Sequence, residues 1–172
     1  TEVPELVNRK HIQKIWKSIE RFIIPKTKYM LTVNHEIAQL FREEYDVSVG
    51  VLMNVPSLNS ANENFFVGEI PVSFNNRTLI LYQGAVNAGR GLEEILETMT
   101  ILPDHVLLVL GGGDNLKKLQ LRVKELNLQD QVCFKGRLAM NELAWYTQQA
   151  KIGLSVEQDL GLNYRLALPN KL

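Results

Sequence analysis

The sequence lacks the features on which several classes of protein depend. Its 172 residues include a single cysteine, Cys133, so no disulfide can form within the chain. Cys133 lies in an apolar run, which predicts a buried strand residue in a reducing compartment. No apolar run approaches the roughly 20 residues of a membrane-spanning helix, so we expect no transmembrane segment.

An excess of charge of one sign is also absent. The 19 Lys and Arg residues equal the 19 Asp and Glu residues, and no basic stripe is interleaved with aromatic residues. We therefore expect no nucleic acid partner, and any polyanion that binds must be small and local. The histidines His11, His35 and His105 do not have the spacing of metal ligands, so no metal site is predicted.

Composition and the start of the chain predict a cytoplasmic location. Hydrophobic residues make up 45% and charged residues 22% of the sequence, values typical of soluble globular proteins. Residues Thr1 to Pro4 do not resemble a signal peptide. The sequence begins without methionine, which is consistent with processing and also with a longer parent protein. For such a parent, the inner face of the membrane is an alternative location.

Residues 1–56 show an incomplete αβαβ pattern. Apolar residues recur at helical spacing from Asn8 to Ile24, which predicts an amphipathic helix that places Trp16 in a core and ends at Pro25. Residues 57–76 are rich in Asn and Ser without a sustained period and predict a linker. The elements expected between these segments are a strand at Tyr29–Val33, a helix at Glu36–Tyr45 and a strand at Val47–Met53.

From residue 77 onward, strands and helices alternate regularly. Alternation on this scale predicts parallel βαβ units in a doubly wound, Rossmann-like α/β sheet. Ligands of such sheets bind outside the carboxyl ends of the strands, so the residues that follow each strand are the candidate site. The predicted strands are Thr78–Gln83, Val106–Leu110, Val132–Lys135 and Ile152–Ser155, and the predicted helices are Leu92–Leu102, Leu116–Leu126 and Asn141–Gln149.

The loop after the first of these strands combines the parts of a phosphate site. Gly84 begins a glycine-bearing loop, Arg90 supplies a permanent positive charge, and the loop opens a helix whose first N–H groups point outward. A flexible turn with a solvated arginine is an equally good interpretation of these residues alone.

The later loops are also small or polar. Gly111 and Gly113 match the first two glycines of the dinucleotide fingerprint, but Leu116 stands where the third belongs, so a tight strand-to-helix turn is a strong alternative. Asp114 is expected to cap the helix that begins at Asn115. The remaining two loops contain Gly136, and Glu157 with Asp159. The series of four such strand ends indicates a site more strongly than any one of them.

Five segments, in this order, resemble the group 1 glycosyltransferases, which are retaining enzymes of the two-domain GT-B architecture. The resemblance implies that residues 1–56 are a remnant of the acceptor domain and that residues 77–172 are an incomplete donor-binding domain. We therefore expect a fragment of a protein roughly twice this length. The segments are YMLTVNHEIAQLF with VGVLMNVP, LILYQGAVNAGRGLEEIL, VLLVLGGGDNLKKL, VCFKGRLAMNELAWYTQQAKIGLSV and LNYRLALPNKL.

The resemblance implies transfer of a sugar from a nucleotide diphosphate-sugar to a hydroxyl acceptor with retention, without a metal or further cofactor. The acceptor would be a glycan, a lipid-linked molecule or a small molecule. Arg90 and Lys171 would stabilise the leaving diphosphate, and Glu157 would lie near the acidic residue that contacts ribose or sugar. The donor-binding residues would be Gly84, Ala85, Gly111, Gly113, Gly136 and Glu157.

Two departures from the family pattern leave alternatives open. Ala85 stands where the family often has arginine, and the two-glutamate motif common in the family is not recognisable. A nucleotide-binding module without catalysis is therefore one alternative, and a sugar-nucleotide epimerase of the same architecture is another. A dinucleotide oxidoreductase is disfavoured by the missing third glycine.

Overall fold

The computed structural model describes residues 9–53, 55, 67–159 and 161–166. The chain divides into two compact units, with a boundary between Pro56 and Ser57 and a return to the first unit at Asp159. The domain boundaries expected from the sequence stay a prediction. Lys171 and the helix predicted to begin at Pro169 lie outside the described residues.

The first unit contains the short αβαβ series expected from the sequence. Its two strands pair in parallel, with Leu31 opposite Gly50. The second helix begins after Asn34, a buried residue whose side-chain oxygen accepts a hydrogen bond of 2.8 Å from the Ile37 N–H and so caps the helix. The elements are α1 (Lys10–Ile23), β1 (Met30–Thr32), α2 (His35–Tyr45), β2 (Val49–Val51) and the four-residue α6 (Leu162–Arg165).

The prediction that Trp16 lies in a core is wrong for the described part of the chain. Trp16 is 51% exposed, and none of the residues of α1 is buried. Polar groups of α1 contact α2: Lys17 Nζ lies 2.8 Å from Glu44 Oε2, and the Tyr45 hydroxyl donates to Glu20. Helical spacing shows that one side of a helix is apolar, but it does not show which side faces the neighbouring element.

The second unit is built on a four-stranded sheet in which every strand pair is parallel. The strand order is β5-β4-β3-β6, which matches one half of the doubly wound arrangement and its point of reversal. The predicted α/β, Rossmann-like fold is confirmed. The elements are β3 (Thr78–Gln83), α3 (Leu92–Met99), β4 (His105–Leu110), α4 (Leu116–Glu125), β5 (Val132–Gly136), α5 (Met140–Gln149) and β6 (Ile152–Leu154).

Both faces of this sheet are covered, as the continuously apolar strands predict. Successive residues of β4 alternate between two cores: Leu107 and Val109 pack with α3 and α4, whereas Val106 and Leu108 pack with α5. Cys133 lies in β5 on the α5 side and is half-buried, and burial raises the pKa of its thiol. The sheet therefore forms the middle layer of an α/β/α unit.

Part of the predicted linker packs on the second unit. Phe74 is buried in the core on the α5 side, with Ile70 beside it. A Cβ added at Gly68 would lie 2.8 Å from the rings of Trp145 and Tyr146, so the backbone passes close to α5 at this point. Nothing in the Asn- and Ser-rich composition of the segment indicates these contacts.

Shortening a buried side chain at the centre of β4 should destabilise the second unit strongly. Leu107 is fully buried, so Leu107→Ala removes buried surface and leaves a cavity, with an expected loss of about 2–5 kcal/mol in the free energy of unfolding. Leu121→Ala on the exposed side of α4 is the matched control and should change it by less than about 0.5 kcal/mol. Urea denaturation measures both, and equal losses would contradict the burial pattern.

Candidate functional site

The loops after β3, β4 and β5 meet at the carboxyl edge of the sheet through backbone contacts. The Gly84 N–H donates to the Leu110 carbonyl at 2.9 Å, and the Gly111 N–H donates to the Gly136 carbonyl at 2.6 Å. Gly111 has φ +140°, and a Cβ at this position would overlap the Gly84 carbonyl oxygen. Only glycine fits there. The prediction that these loops share one edge is confirmed.

A second set of contacts joins the β3 loop to the start of α4. A Cβ at Gly113 would overlap the Val86 carbonyl oxygen and the Asn87 side chain. The Asp114 N–H donates to Asn87 Oδ1 at 3.2 Å, and the Asn115 N–H donates to the Val86 carbonyl at 3.0 Å. The Val86 carbonyl and the Asn87 side chain, both in the β3 loop, thus accept hydrogen bonds from the backbone N–H groups just before α4.

The prediction that Asp114 caps α4 is wrong. The helix begins at Leu116 with Asn115 as the preceding residue, and the helix start has no side-chain cap hydrogen bond. Asn115 Nδ2 instead donates to Glu93 Oε1 at 2.6 Å, which connects the starts of α4 and α3. Sequence spacing does not reveal a partner of this kind, because it belongs to another helix.

The start of α3 differs from that of α4 because a cation stands directly before it. Gly91 precedes the helix with φ +68° and without a side-chain cap hydrogen bond. Its added Cβ would lie 2.6 Å from the Val156 carbonyl oxygen, so the loop after β6 passes directly beside it. A helix N-terminus next to an arginine is suited to an anion.

Arg90 and Glu157 form an ion pair across this point. Arg90 Nη1 lies 3.1 Å from Glu157 Oε1, and the side chains are 27% and 13% exposed. The two residues follow β3 and β6, which are neighbours in the sheet, and β4 lies on the other side of β3. The pair therefore stands where the strand order reverses, which is the usual ligand position in open α/β sheets.

Two further residues join the same loops, and no sequence pattern marks either of them as part of a site. The Gln158 N–H donates to the Gly89 carbonyl at 2.9 Å, and its side-chain amide donates to Glu94. Ser155 Oγ donates to Glu157 Oε2 at 3.3 Å. The polar character of the loop was visible in the sequence, but the partners across the two loops were not.

The structure brings most of the predicted site residues to one edge of the sheet. Ala85 is exposed, and its carbonyl accepts a 2.8 Å hydrogen bond from the Tyr82 hydroxyl. Lys171 lies outside the described residues. In the described part of the chain, no group of three or more His, Cys, Asp or Glu residues could hold a metal ion. The roles predicted for the site residues in donor binding stay predictions.

Glu93, in the first turn of α3, is held as a carboxylate. Burial alone would raise the pKa of Glu93, but hydrogen bonds from Asn115 and Lys118 stabilise the charged form and lower its pKa below the ordinary value. Lys118 Nζ lies 3.3 Å from Glu93 Oε1. The negative charge of Glu93 is therefore directed toward α4.

A family model described as glycosyl transferases group 1 matches residues 68–155, about half of the chain. The matched region contains β3 to β6 and the loops after β3, β4 and β5, and it ends just before Glu157. The chain belongs to the group 1 glycosyltransferases. No curated protein was found to match the sequence.

Several solved structures have a similar fold. A TarM variant from S. aureus, in complex with fondaparinux, α-GlcNAc-glycerol and UDP, is 14% identical with a TM-score of 0.63 over 81% of this chain. Sucrose-phosphate synthase from Thermosynechococcus elongatus is 19% identical with a TM-score of 0.64 over 80%. Anabaena HepE, in complex with UDP and glucose, is 12% identical with a TM-score of 0.63 over 81%.

This group 1 glycosyltransferase chain spans only part of each of those structures. It covers 28% of the TarM chain, 37% of the sucrose-phosphate synthase chain and 41% of the HepE chain. At identities this low, the structural similarity shows a shared fold and nothing finer. None of the helices among the described residues has the length and apolar character that crossing a bilayer requires.

Introducing a side chain at Gly111 should disrupt the contact that joins the strand ends. Gly111→Ala places a Cβ against the Gly84 carbonyl and imposes an unfavourable φ, so we expect a loss of about 3 kcal/mol in the free energy of unfolding. Gly112→Ala is the matched control: its Cβ would meet only the Arg137 side chain, at 3.4 Å. Denaturant titration of both variants tests this, and similar stabilities would refute the close approach.

The contribution of Glu93 to stability should depend on pH. Because the pKa of Glu93 is lowered in the folded state, its stabilisation is present above the unfolded pKa and is lost as the pH falls through the folded value. Glu93→Gln should cost about 1 kcal/mol in the free energy of unfolding at pH 7, and this cost should shrink below pH ~4.5. A cost that does not change between pH 7 and pH 3 would contradict the assignment.

Proposed function

We propose that this chain supplies the donor-binding part of a glycosyltransferase that takes a sugar from a nucleotide diphosphate-sugar and transfers it to a hydroxyl acceptor with retention. The observation that carries the proposal is the position of Arg90, which stands before the start of α3 at the reversal point of the sheet and is paired with Glu157 at 3.1 Å. Family membership gives the reaction class.

The chemistry of sugar transfer explains why a cation belongs at this point. As the bond between sugar and diphosphate breaks, the leaving diphosphate gains negative charge. A guanidinium and a helix N-terminus stabilise that charge more in the transition state than in the bound donor. Loss of one such group raises the barrier by about 3 kcal/mol in comparable sites. Lys171 is proposed as the second cation.

Backbone groups of the glycine loops would contact the nucleotide. Gly111 and Gly113 lack side chains where the β3 and β4 loops approach one another, so the polypeptide surface at this edge is formed largely by main chain. A flat or extended ligand can approach such a surface closely because no side chain intervenes. The residues proposed for this role are Gly84, Ala85, Gly111, Gly113 and Gly136.

The ligands of similar structures fit a nucleotide diphosphate donor. TarM was crystallised with UDP and a GlcNAc-glycerol, and HepE with UDP and glucose. We propose the same class of donor here, used without a metal or further cofactor, and a glycan, lipid-linked or small-molecule acceptor. We also propose a cytoplasmic location for the protein.

One observation favours a second candidate, a nucleotide-binding module without transferase activity. Ala85 occupies the exposed position after Gly84, where the family pattern often has arginine. A site with one cation fewer would still bind a diphosphate, although it would stabilise a leaving group less well. Binding of a nucleotide diphosphate-sugar without transfer, in a protein containing both units and Lys171, would favour this candidate.

Replacement of Arg90 should weaken nucleotide binding. Arg90→Ala removes a charge-assisted contact worth about 1.5–3 kcal/mol, so the affinity for UDP, GDP or ADP should fall about tenfold or more in isothermal titration calorimetry. Arg77→Ala is the matched control, because Arg77 is exposed and precedes β3 at the opposite edge of the sheet.

The two variants separate a site effect from a change in net charge. Each removes one positive charge from the chain, so a general electrostatic effect would weaken binding equally. Unchanged affinity in Arg90→Ala, or an equal loss in Arg77→Ala, would exclude Arg90 as the diphosphate contact.

A further inference from the structure

The carboxylate of Glu157 is engaged on both oxygens by protein groups. Oε1 lies 3.1 Å from Arg90 Nη1, and Oε2 accepts a 3.3 Å hydrogen bond from Ser155 Oγ. The side chain is 13% exposed. A carboxylate held in this way has little surface from which to bind hydroxyl groups of a ligand, in contrast to the sugar- or ribose-contacting role that the family resemblance implies for Glu157.

The backbone on either side of the ion pair is fixed as well. Gly89 accepts a hydrogen bond from the Gln158 N–H at 2.9 Å. Gly91 lies so close to the Val156 carbonyl that no side chain fits between them. Arg90 therefore stands between two residues that are both anchored to the loop after β6, and Glu157 holds the end of its side chain.

An arginine side chain that is already held loses less conformational freedom when an anion binds. The guanidinium carries five N–H donors in a fixed fork, so a carboxylate on one edge and a phosphate oxygen on another suit the same group. The anchoring of Arg90 by the β6 loop is thus a form of preorganisation for diphosphate.

We infer that Glu157 is a positioning residue: it holds the Arg90 guanidinium in place for the diphosphate of the donor and does not itself contact the nucleotide or the sugar. This inference rests on the proposed function of the site. A residue of the β6 loop, Glu157, thus orients a cation of the β3 loop, Arg90.

The test compares three variants in calorimetric titrations of UDP, GDP and ADP: Glu157→Ala, Glu157→Gln, and Glu157→Ala combined with Arg90→Ala. Glu157→Ala should weaken binding about fivefold, the effect of a modest charge contact. Glu157→Gln retains an oxygen that accepts from Arg90, so its affinity should stay within about twofold of the wild-type chain. In an Arg90→Ala background, Glu157→Ala should cause no further loss, since the two residues act as one unit.

Three results would overturn the inference. A loss from Glu157→Ala that persists in the Arg90→Ala background would mean that Glu157 contacts the ligand directly. Tighter binding by Glu157→Ala would mean that Glu157 competes with the diphosphate for Arg90, and unchanged binding would mean that it has no role. Glu125→Ala is the matched control, because Glu125 forms an exposed ion pair with Arg122 on α4 and should leave binding unchanged.

A measurement without ligand separates this inference from the proposed function. In nitrogen-15 NMR spectra, rotation of the Arg90 guanidinium should be hindered in the wild-type chain and in Glu157→Gln, and it should be fast in Glu157→Ala. Identical Arg90 signals in the wild-type chain, Glu157→Gln and Glu157→Ala would overturn the positioning role. If the signals change as expected but the wild-type chain binds none of the three nucleotides, the proposed donor function fails while the positioning of Arg90 stands.

Discussion

The close approach of Gly84, Gly111 and Gly136 is the constraint on which the rest of the site depends. Because the Gly111 backbone passes against the Gly84 carbonyl and donates to Gly136, the ends of three strands meet with no room for a side chain at Gly111. The edge of the sheet is therefore formed by main chain at this point. An arginine and a carboxylate, Arg90 and Glu157, stand to one side, where the loops after β3 and β6 lie next to each other.

The sheet could be predicted from the sequence because its strands have a strong local pattern. Strand β3 begins and ends at the predicted residues, and the other strands of the second unit differ from prediction by one residue at most. Continuous apolar runs indicate burial on both faces without knowledge of the partners. For α1 the pattern was equally clear, yet Trp16 is exposed, because the side of a helix that contacts its neighbour is decided by tertiary packing.

The contacts within the site required the strand order, which local patterns do not contain. Arg90 and Glu157 are 67 positions apart, and they meet only because β6 lies beside β3 rather than beside β5. Each residue alone is consistent with a solvated charge in a loop. The same reasoning applies to Asp114: it was expected to cap α4, but its own N–H instead donates to Asn87 in the loop of another strand.

The two sides of the site consequently depend on different kinds of contact. The α4 side is fixed by main-chain packing between β3 and β4, which form the longest strand pairing of the sheet. The Arg90 side depends on the loop after β6, a strand of three residues paired only with β3 among the described strands. Because β6 contributes few backbone hydrogen bonds, the ion pair with Glu157 and the Gln158 contact to Gly89 carry a large share of the connection at this point. An anion at Arg90 would therefore bind to the part of the sheet edge that is held mainly by polar contacts, and the orientation of the cation is sensitive to substitutions in a loop that is distant in sequence.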